Sequence, residues 1–149
     1  MTPHEDEPAP GAAPHQTGAA GESEQSLLAA IARSEFHNRR RRDSLIRHDF
    51  FADPAWDLLL DLYVEHHRRR PADLAHLCAA SAVAPTIALR WIGLLIEEEL
   101  VTRLPHGGES DDAQLELSAR GVEEMERYLR DFLHRERLGG DIAAGVHRR

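Results

Sequence analysis

The fold of this chain is decided by residues 71–117, which read PADLAHLCAASAVAPTIALRWIGLLIEEELVTRLPHGGESDDAQLEL. Two prolines, Pro71 and Pro85, predict two helix starts, because proline suits the first turn of a helix. The segment between these helices, residues 81–84, predicts a tight turn. Beyond the second helix, the alternation of polar and apolar side chains in residues 114–117 predicts a short strand, paired through a glycine-containing loop with the segment before it.

Helix, turn, helix and hairpin in this order predict a winged helix-turn-helix, with the two helices at about residues 71–98 and the wing at about residues 100–117. In this architecture the second helix enters the major groove of DNA, so one of its sides must be buried and the other exposed. The apolar spacing predicts that Trp91 orients this helix from behind. The predicted buried residues are Ile87, Trp91, Leu94 and Leu95, and the predicted exposed residues are Thr86, Arg90, Gly93 and Glu97.

The exposed side of the second helix carries chemistry that suits DNA. Arg90 can donate two hydrogen bonds to one guanine, a contact worth about 1–3 kcal/mol of discrimination. Thr86, near the helix start, can hold a phosphate together with free backbone N–H groups. The alternative is that Arg90 is a solvated surface arginine and that Thr86 only supports the helix start.

The rest of the chain is predicted to form two terminal segments and the helices that flank this unit. Residues 1–22 are rich in proline, glycine, alanine and acids, so they predict a disordered acidic arm. Residues 23–138 predict the folded domain, and residues 139–149 a flexible tail. Within the domain, Asp53 followed by Pro54 is a helix-start signal. The predicted fold class is therefore mostly α with a small β-wing, flanked by N- and C-terminal helices.

Residues 51–63, FADPAWDLLLDLY, and residues 84–92, APTIALRWI, resemble the MarR-type winged-helix transcriptional regulators, and most closely a branch associated with alphaproteobacteria. Residues 117–121, LSARG, are similar to the junction between the wing and the last helix in that family. The resemblance implies a bacterial homodimer held by its first and last helices, with one recognition helix of each subunit on a palindromic site in double-stranded DNA. It also implies that the protein is a repressor and that a small-molecule effector releases it from DNA.

These observations predict a sequence-specific DNA-binding transcriptional regulator that acts as a dimeric repressor. Thr86 and Arg90 would read or position the DNA. Ser81 and Arg103 would contact the DNA backbone, and residues 68–70 (Arg68, Arg69 and Arg70) would add positive charge close to the DNA-facing helices.

The charge of the chain opposes this prediction. The formal net charge is −8, and every basic residue apart from histidine is arginine. Residues 71–119 carry two arginines against eight acids, and the wing tip at residues 106–112 lacks the arginine that a typical family member has there. Either residues 39–42 and residues 68–70 supply the affinity for DNA, or the fold has become a protein–protein interaction module whose acidic surface no longer binds DNA.

Other functions find little support in the sequence. We find no nucleophile elbow, phosphate-binding glycine loop or zinc-protease motif, so neither an enzyme nor a cofactor is predicted. A single cysteine, Cys78, excludes an intrachain disulfide framework. The adjacent His66 and His67 would point about 100° apart on a helix, so no metal site is predicted. No apolar run reaches the ~20 residues that cross a bilayer, and no secretory signal is recognisable, so we expect a cytoplasmic protein with no membrane partner.

Overall fold

The computed structural model describes the backbone of residues 17–46, 51–105 and 113–146, and within these ranges the side chains from residue 19 to residue 140. The helices are α1 (Thr17–Leu45), α2 (Pro54–His67), α3 (Leu74–Ala80), α4 (Pro85–Glu97) and α5 (Ala119–Val146). The strands are β1 (Ala72–Asp73), β2 (Val101–Arg103) and β3 (Gln114–Leu117). A helix-turn-helix (α3 and α4) and a wing (β2 and β3) thus lie between two long helices. The predicted winged helix-turn-helix with flanking helices is confirmed.

The three strands form one antiparallel sheet in the order β1-β3-β2. Val101 pairs with Leu117 in the wing, and Ala72 pairs with Leu115 on the other side of β3. The sequence prediction missed β1, because it began the first helix at Pro71. In the structure, Asp73 caps α3 by accepting a hydrogen bond from the backbone N–H of His76 at 2.7 Å, so the helix starts at Leu74 and the two residues before it stay extended.

The central helix, α2, begins where the sequence predicted. The Asp53 carboxylate accepts a hydrogen bond from the backbone N–H of Trp56 at 3.2 Å, and Pro54 occupies the first turn. α2 then packs against α1, α3, α4, α5 and β3, which makes it the hub of the core. The buried apolar side chains of α2 are Leu58, Leu60, Leu62, Tyr63 and Val64.

The start of α5 is held tightly against the end of α4. The Ser118 hydroxyl donates to the Glu99 carbonyl at 2.5 Å and accepts from the backbone N–H of Gly121 at 2.9 Å. Gly121 itself packs on the backbone of Leu100, where an added Cβ would lie 2.1 Å from the carbonyl oxygen. This position therefore requires glycine, and the contact fixes α5 relative to the wing.

Two predicted boundaries differ from the structure. α1 begins at Thr17, so residues 17–22 are helical rather than part of a disordered arm, and the earlier residues of the arm lie outside the described part. Alanine and glutamate favour helix here, and Glu24 is tied to Arg130 of α5 at 3.0 Å. α5 continues to Val146, so residues 139–146 are helical rather than a tail. Extending an existing helix needs no new nucleus, which offsets the cost of about 1 kcal/mol for each glycine.

Within the described residues, no single helix combines the length and apolarity needed to cross a bilayer. The bent pair of α3 and α4, which meet at 106°, satisfies that criterion only by combined length and composition.

Candidate nucleic-acid interface

The recognition helix, α4, is seated on the core through three apolar residues, one of them small. Ala88, Ile92 and Leu95 are buried, at positions i, i+4 and i+7. The prediction that Trp91 and Leu94 anchor the helix is wrong, because these side chains are 36% and 39% exposed. α4 is apolar on most of its circumference, so its sequence allows two different stripes. The side with Ala88 permits the closer approach to the core.

The opposite side of α4 is exposed, as predicted. Thr86, Arg90 and Glu97 all lie in the exposed class, and Gly93 is intermediate. Arg90 forms no ion pair and no side-chain hydrogen bond with any residue that the structure describes. Its guanidinium is therefore a cation on the outward face of the helix with no counter-charge among the described residues.

Large apolar residues surround this cation, and Ile87 among them was predicted to be buried. Ile87 is 47% exposed and Leu89 is 46% exposed. Together with Leu94 and Trp91 they make the outward half of α4 largely apolar. An exposed apolar patch of this kind on a surface helix indicates a contact with another molecule.

The turn before α4 places Ser81 inside the molecule. Ser81 is 1% exposed, and its hydroxyl donates to the Cys78 carbonyl at 2.8 Å. Ala82 then adopts a left-handed backbone conformation with φ of 53°, which reverses the chain. The prediction that Ser81 contacts the DNA backbone is corrected: its hydroxyl is used to close the turn.

The wing carries Arg103 at the end of β2. Arg103 is exposed and its Cα pairs with that of Leu115 in the hairpin. The backbone N–H of Leu104 donates to the Gln114 carbonyl at 2.9 Å, which extends the pairing by one step. The acidic wing tip, residues 106–112, lies outside the described residues.

Two of the three arginines after α2 form ion pairs with one carboxylate. Arg68 and Arg70 contact Glu65 at 2.8 and 3.1 Å. Burial alone would raise the pKa of Glu65, but hydrogen bonds and charge from these two arginines hold the pKa below its usual value. Arg69 adopts φ of 55° and is exposed, with no ion pair to a described residue. It is therefore the arginine of this group that is most free to meet a phosphate.

The four arginines at residues 39–42 mostly hold α1 against α2. Asp57 of α2 is 1% exposed. Its carboxylate accepts from Arg39 Nε at 2.5 Å and also from Arg40 Nη2. Arg42 contacts Asp43 at 3.0 Å and donates to the Phe51 carbonyl at 2.8 Å. Two carboxylates therefore offset part of the charge of this run inside the subunit. Arg41 is its exposed member without an ion pair to a described residue.

A cavity of about 820 Å³ lies beside α4. Its walls come from the end of α1, the start of α2, the turn at residues 81–84 and the flank of α4. Arg40 also lines the cavity, although its Nε and Nη1 atoms are buried and have no hydrogen-bond partner among the described residues. Ile87 and Trp91 form the wall that belongs to the recognition helix. Sequence reasoning missed this cavity, because its walls come from separated segments and no local pattern marks it.

A hydrogen-bonded pair connects the first helix of the helix-turn-helix to α2. His76 Nε2 lies 2.6 Å from Asp61 Oδ2. Burial raises the pKa of Asp61. The charge of His76 and its hydrogen bond lower this pKa, but by less than burial raises it. The pair fixes the position of α3, and through the turn it supports that of α4.

The adjacent histidines line a different cavity. His66 and His67, together with Tyr63 and Glu126, border a space of about 470 Å³ between α1, α2 and α5. Burial and the neighbouring Glu126 raise the pKa of the Tyr63 hydroxyl, so this hydroxyl remains a hydrogen-bond donor. In the part of the chain that the structure describes, no group of three or more histidine, cysteine or acidic side chains is arranged to hold a metal ion.

The geometry defines a winged helix-turn-helix with an outward-facing recognition helix.

No protein-family model and no curated protein matches the chain. Several solved structures do match. One is RV1404 from Mycobacterium tuberculosis, with 24% identity over 94% of this chain and 86% of that chain and a TM-score of 0.44. A MarR family transcriptional regulator from Silicibacter pomeroyi has 15% identity over 89% and 93% of the two chains, with a TM-score of 0.45. A MarR mutant from E. coli has 16% identity over 95% and 94%, with a TM-score of 0.44.

Two of these three structures are named as MarR proteins. The predicted alphaproteobacterial branch stays a prediction. The winged helix-turn-helix itself follows from the elements and packing of this chain.

Proposed function

We propose that this protein is a sequence-specific DNA-binding transcriptional regulator that acts in the bacterial cytoplasm as a dimeric repressor. The observation that carries the proposal is the seating of α4. Its buried side holds the helix on the core, while Thr86 and Arg90 face outward and the Arg90 guanidinium has no partner among the described residues. A helix presented in this way is what a winged helix-turn-helix inserts into the major groove.

Thr86 and the arginines near α4 have proposed roles in binding DNA. Arg90 donates to the O6 and N7 atoms of a guanine. Thr86 binds a phosphate at the start of α4, where Ala84 provides no side-chain cap for the first-turn amides. Arg103 of the wing and Arg69 after α2 contact the DNA backbone, and Arg68 and Arg70 do so only at the expense of their bonds to Glu65.

Dimerisation through the flanking helices is supported by their exposed apolar side chains. On α5, Tyr128, Phe132 and Leu138 are exposed, and on α1 so is Leu27. Trp56 of α2 packs edge-on against Tyr128 with ring centroids 4.8 Å apart, which holds one part of this surface in place. A second copy of the chain would cover these side chains and would bring two recognition helices to one palindromic site.

A small-molecule effector is the second part of the proposal. The cavity beside α4 has room for one, since ligand pockets commonly measure roughly 300–1,000 Å³. Polar and charged residues, Arg40, Asp43 and Asp57, lie beside apolar ones in its walls, so a ligand with both polar and apolar groups would suit it. Because Ile87 and Trp91 form one wall, an occupant would press directly on the recognition helix and change its fit to DNA.

Selection of binding sites tests the proposal. The full chain is incubated with random double-stranded DNA at low salt, and bound fragments are sequenced. We expect enrichment of one palindromic sequence, and we expect Arg90→Ala to lose it. Arg127→Ala removes another exposed arginine, on α5, and should leave the selection unchanged.

Three results would count against parts of this proposal. No enrichment at any salt concentration would remove DNA recognition and leave the interaction-module alternative. A species of 16.7 kDa at all concentrations in sedimentation would remove the dimer. Enrichment of the same sequence by Arg90→Ala would remove the role of Arg90 but not that of α4.

A further inference from the structure

The outward face of α4 has an unusual composition for a surface helix. Around the cation of Arg90 stand Ile87, Leu89 and Leu94, each between about two fifths and one half exposed. The acids of this region, Glu97 to Glu99, are confined to the C-terminal end. A surface helix that meets only water is polar on this side, so these aliphatic side chains require an apolar occupant close to the target of Arg90.

Helix geometry places two of the three aliphatic residues in one row with Arg90. Ile87 and Leu94 are its i−3 and i+4 neighbours, and residues at these spacings are adjacent on a helix surface. The row from Ile87 to Leu94 covers seven residue steps, or roughly 10 Å along the axis. DNA rises about 3.4 Å per base pair, so the row matches roughly three base pairs.

Only one apolar group is available at the edges of bases in the major groove. It is the C5-methyl group of thymine, whereas guanine presents the two acceptors that suit an arginine. In this row, Arg90 therefore suits the edge of a guanine. Ile87 and Leu94 suit the methyl groups of thymines on its two sides. A protein partner fits the row less well, because Arg90 at its centre would need a buried counter-charge.

Resting on the DNA-binding function proposed above, we propose that Ile87 and Leu94 are specificity-determining residues that contact thymine methyl groups on both sides of the guanine bound by Arg90. The half-site then contains a guanine with a thymine within about two base pairs on each side, on either strand. The protein reads these thymines by their methyl groups and not by hydrogen bonds.

Substitution of deoxyuridine for thymine tests this reading, because it removes the C5-methyl group and keeps base pairing. The selected operator is resynthesised with one deoxyuridine at a time, and dissociation constants are measured for the full chain. Burial of one methyl group contributes about 0.8 kcal/mol, so we expect wild-type affinity to fall about fourfold at two thymine positions of each half-site.

The variants assign each methyl group to a side chain. Ile87→Ala should bind the thymine and deoxyuridine forms equally at one of the two positions, and Leu94→Ala at the other. A general structural defect would weaken both forms by the same factor and would keep the fourfold ratio. Leu89→Ala is the matched control, since Leu89 is as exposed as Ile87 but lies on the other flank of Arg90. It should retain both fourfold effects.

The failure of this inference can be told apart from the failure of the proposed function. Tight binding to a selected operator with no deoxyuridine effect at any thymine would overturn methyl recognition and leave DNA binding intact. Retention of both effects in Ile87→Ala and Leu94→Ala would overturn the assignment to these residues, as would their loss in Leu89→Ala. Absence of any selected operator would instead overturn the function on which the inference rests.

Discussion

Arg40 of α1 and Asp57 of α2 form an ion pair across the interface between these two helices, and the same guanidinium borders the cavity beside the recognition helix. Asp57 is almost fully buried and also binds Arg39. One carboxylate therefore pairs with two guanidinium groups. It connects the long first helix to the cavity beside α4.

Asn in place of Asp57 should destabilise the protein strongly. Asp57→Asn keeps the size of the side chain but removes the ion pair of Arg39 and leaves Arg40 with only its 3.8 Å contact to Asp43. Breaking a buried ion pair typically costs about 3–5 kcal/mol. Urea denaturation measures the loss in the free energy of unfolding. The matched control is Asp43→Asn, because Asp43 forms more exposed ion pairs worth about 1 kcal/mol or less. Equal losses in the two variants would contradict the role given to Asp57.

Glycine at position 99 should stabilise the fold. Glu99 follows the end of α4 with φ of 59°, and the next residue, Leu100, donates its backbone N–H to the Leu95 carbonyl at 3.0 Å. Glycine is preferred at this position of a helix end because it adopts positive φ without strain. We expect Glu99→Gly to raise the free energy of unfolding by about 0.5–1 kcal/mol. Glu98→Gly, one residue earlier with a φ of −79°, should lower it.

Alanine at position 121 should disrupt the junction between the wing and α5. The new Cβ of Gly121→Ala would meet the backbone carbonyl of Leu100 at 2.1 Å, a clash that only a shift of the backbone relieves. We expect a loss of about 3 kcal/mol or more in the free energy of unfolding. Gly93→Ala is the control, since no atom lies within 4 Å of the added Cβ. It should be neutral or stabilising by up to about 1 kcal/mol.

Glu65 should make the protein sensitive to acid. The pKa of Glu65 is lower in the folded chain than in the unfolded chain, where it has its ordinary value of 4.5. The unfolded state therefore binds the proton more readily, and the stability that Glu65 contributes is present above pH 4.5 and is lost as the pH falls through the folded pKa.

The measurement is the free energy of unfolding of wild type and Glu65→Gln at neutral pH and in acid. The difference between the two proteins should shrink as the pH falls below about 4.5. Glu123→Gln, at an exposed position, should keep a constant and small difference from wild type. A difference between Glu65→Gln and wild type that does not change with pH would contradict the linkage.

Arg90 and Arg103 should affect DNA binding in different ways. Arg90→Ala should lose discrimination at one base position by about 1–3 kcal/mol. Arg103→Ala should weaken all sequences alike and reduce the slope of log K against log salt by about 0.9 for each phosphate that is no longer bound. Titrations with operator variants at several salt concentrations separate the two effects. An equal fall in selectivity in both variants would contradict this division of roles.

The sequence predicted well what short-range interactions decide. The cap at Asp53 and the proline at position 54 set the start of α2, and Pro85 sets that of α4. A helix start depends on a few consecutive residues, so it can be predicted from them. β1 was missed for the converse reason: two residues carry no periodicity, and only pairing with β3 makes them a strand.

The sequence was misleading where composition allowed more than one answer. α4 is apolar on most sides, and large side chains were assigned to its contact face. The structure buries Leu95 as predicted, but it buries Ala88 and Ile92 beside it and leaves Trp91 partly exposed. A helix approaches the core more closely where a small residue such as Ala88 lies at the contact. The apolar pattern of α4 does not show which of its stripes will face the core.

What the chain alone determined is the order of its elements and the outward position of Thr86 and Arg90, because capping, turn chemistry and helical periodicity act between residues close in sequence. Only the tertiary structure decided which arginines remain unpaired among the described residues. Arg39 and Arg40 meet Asp57 across two helices, and Ser81 turns inward to Cys78. Charge neutralisation and burial depend on residues brought together from distant parts of the chain, so the balance of positive charge available for DNA could be judged only after folding placed them.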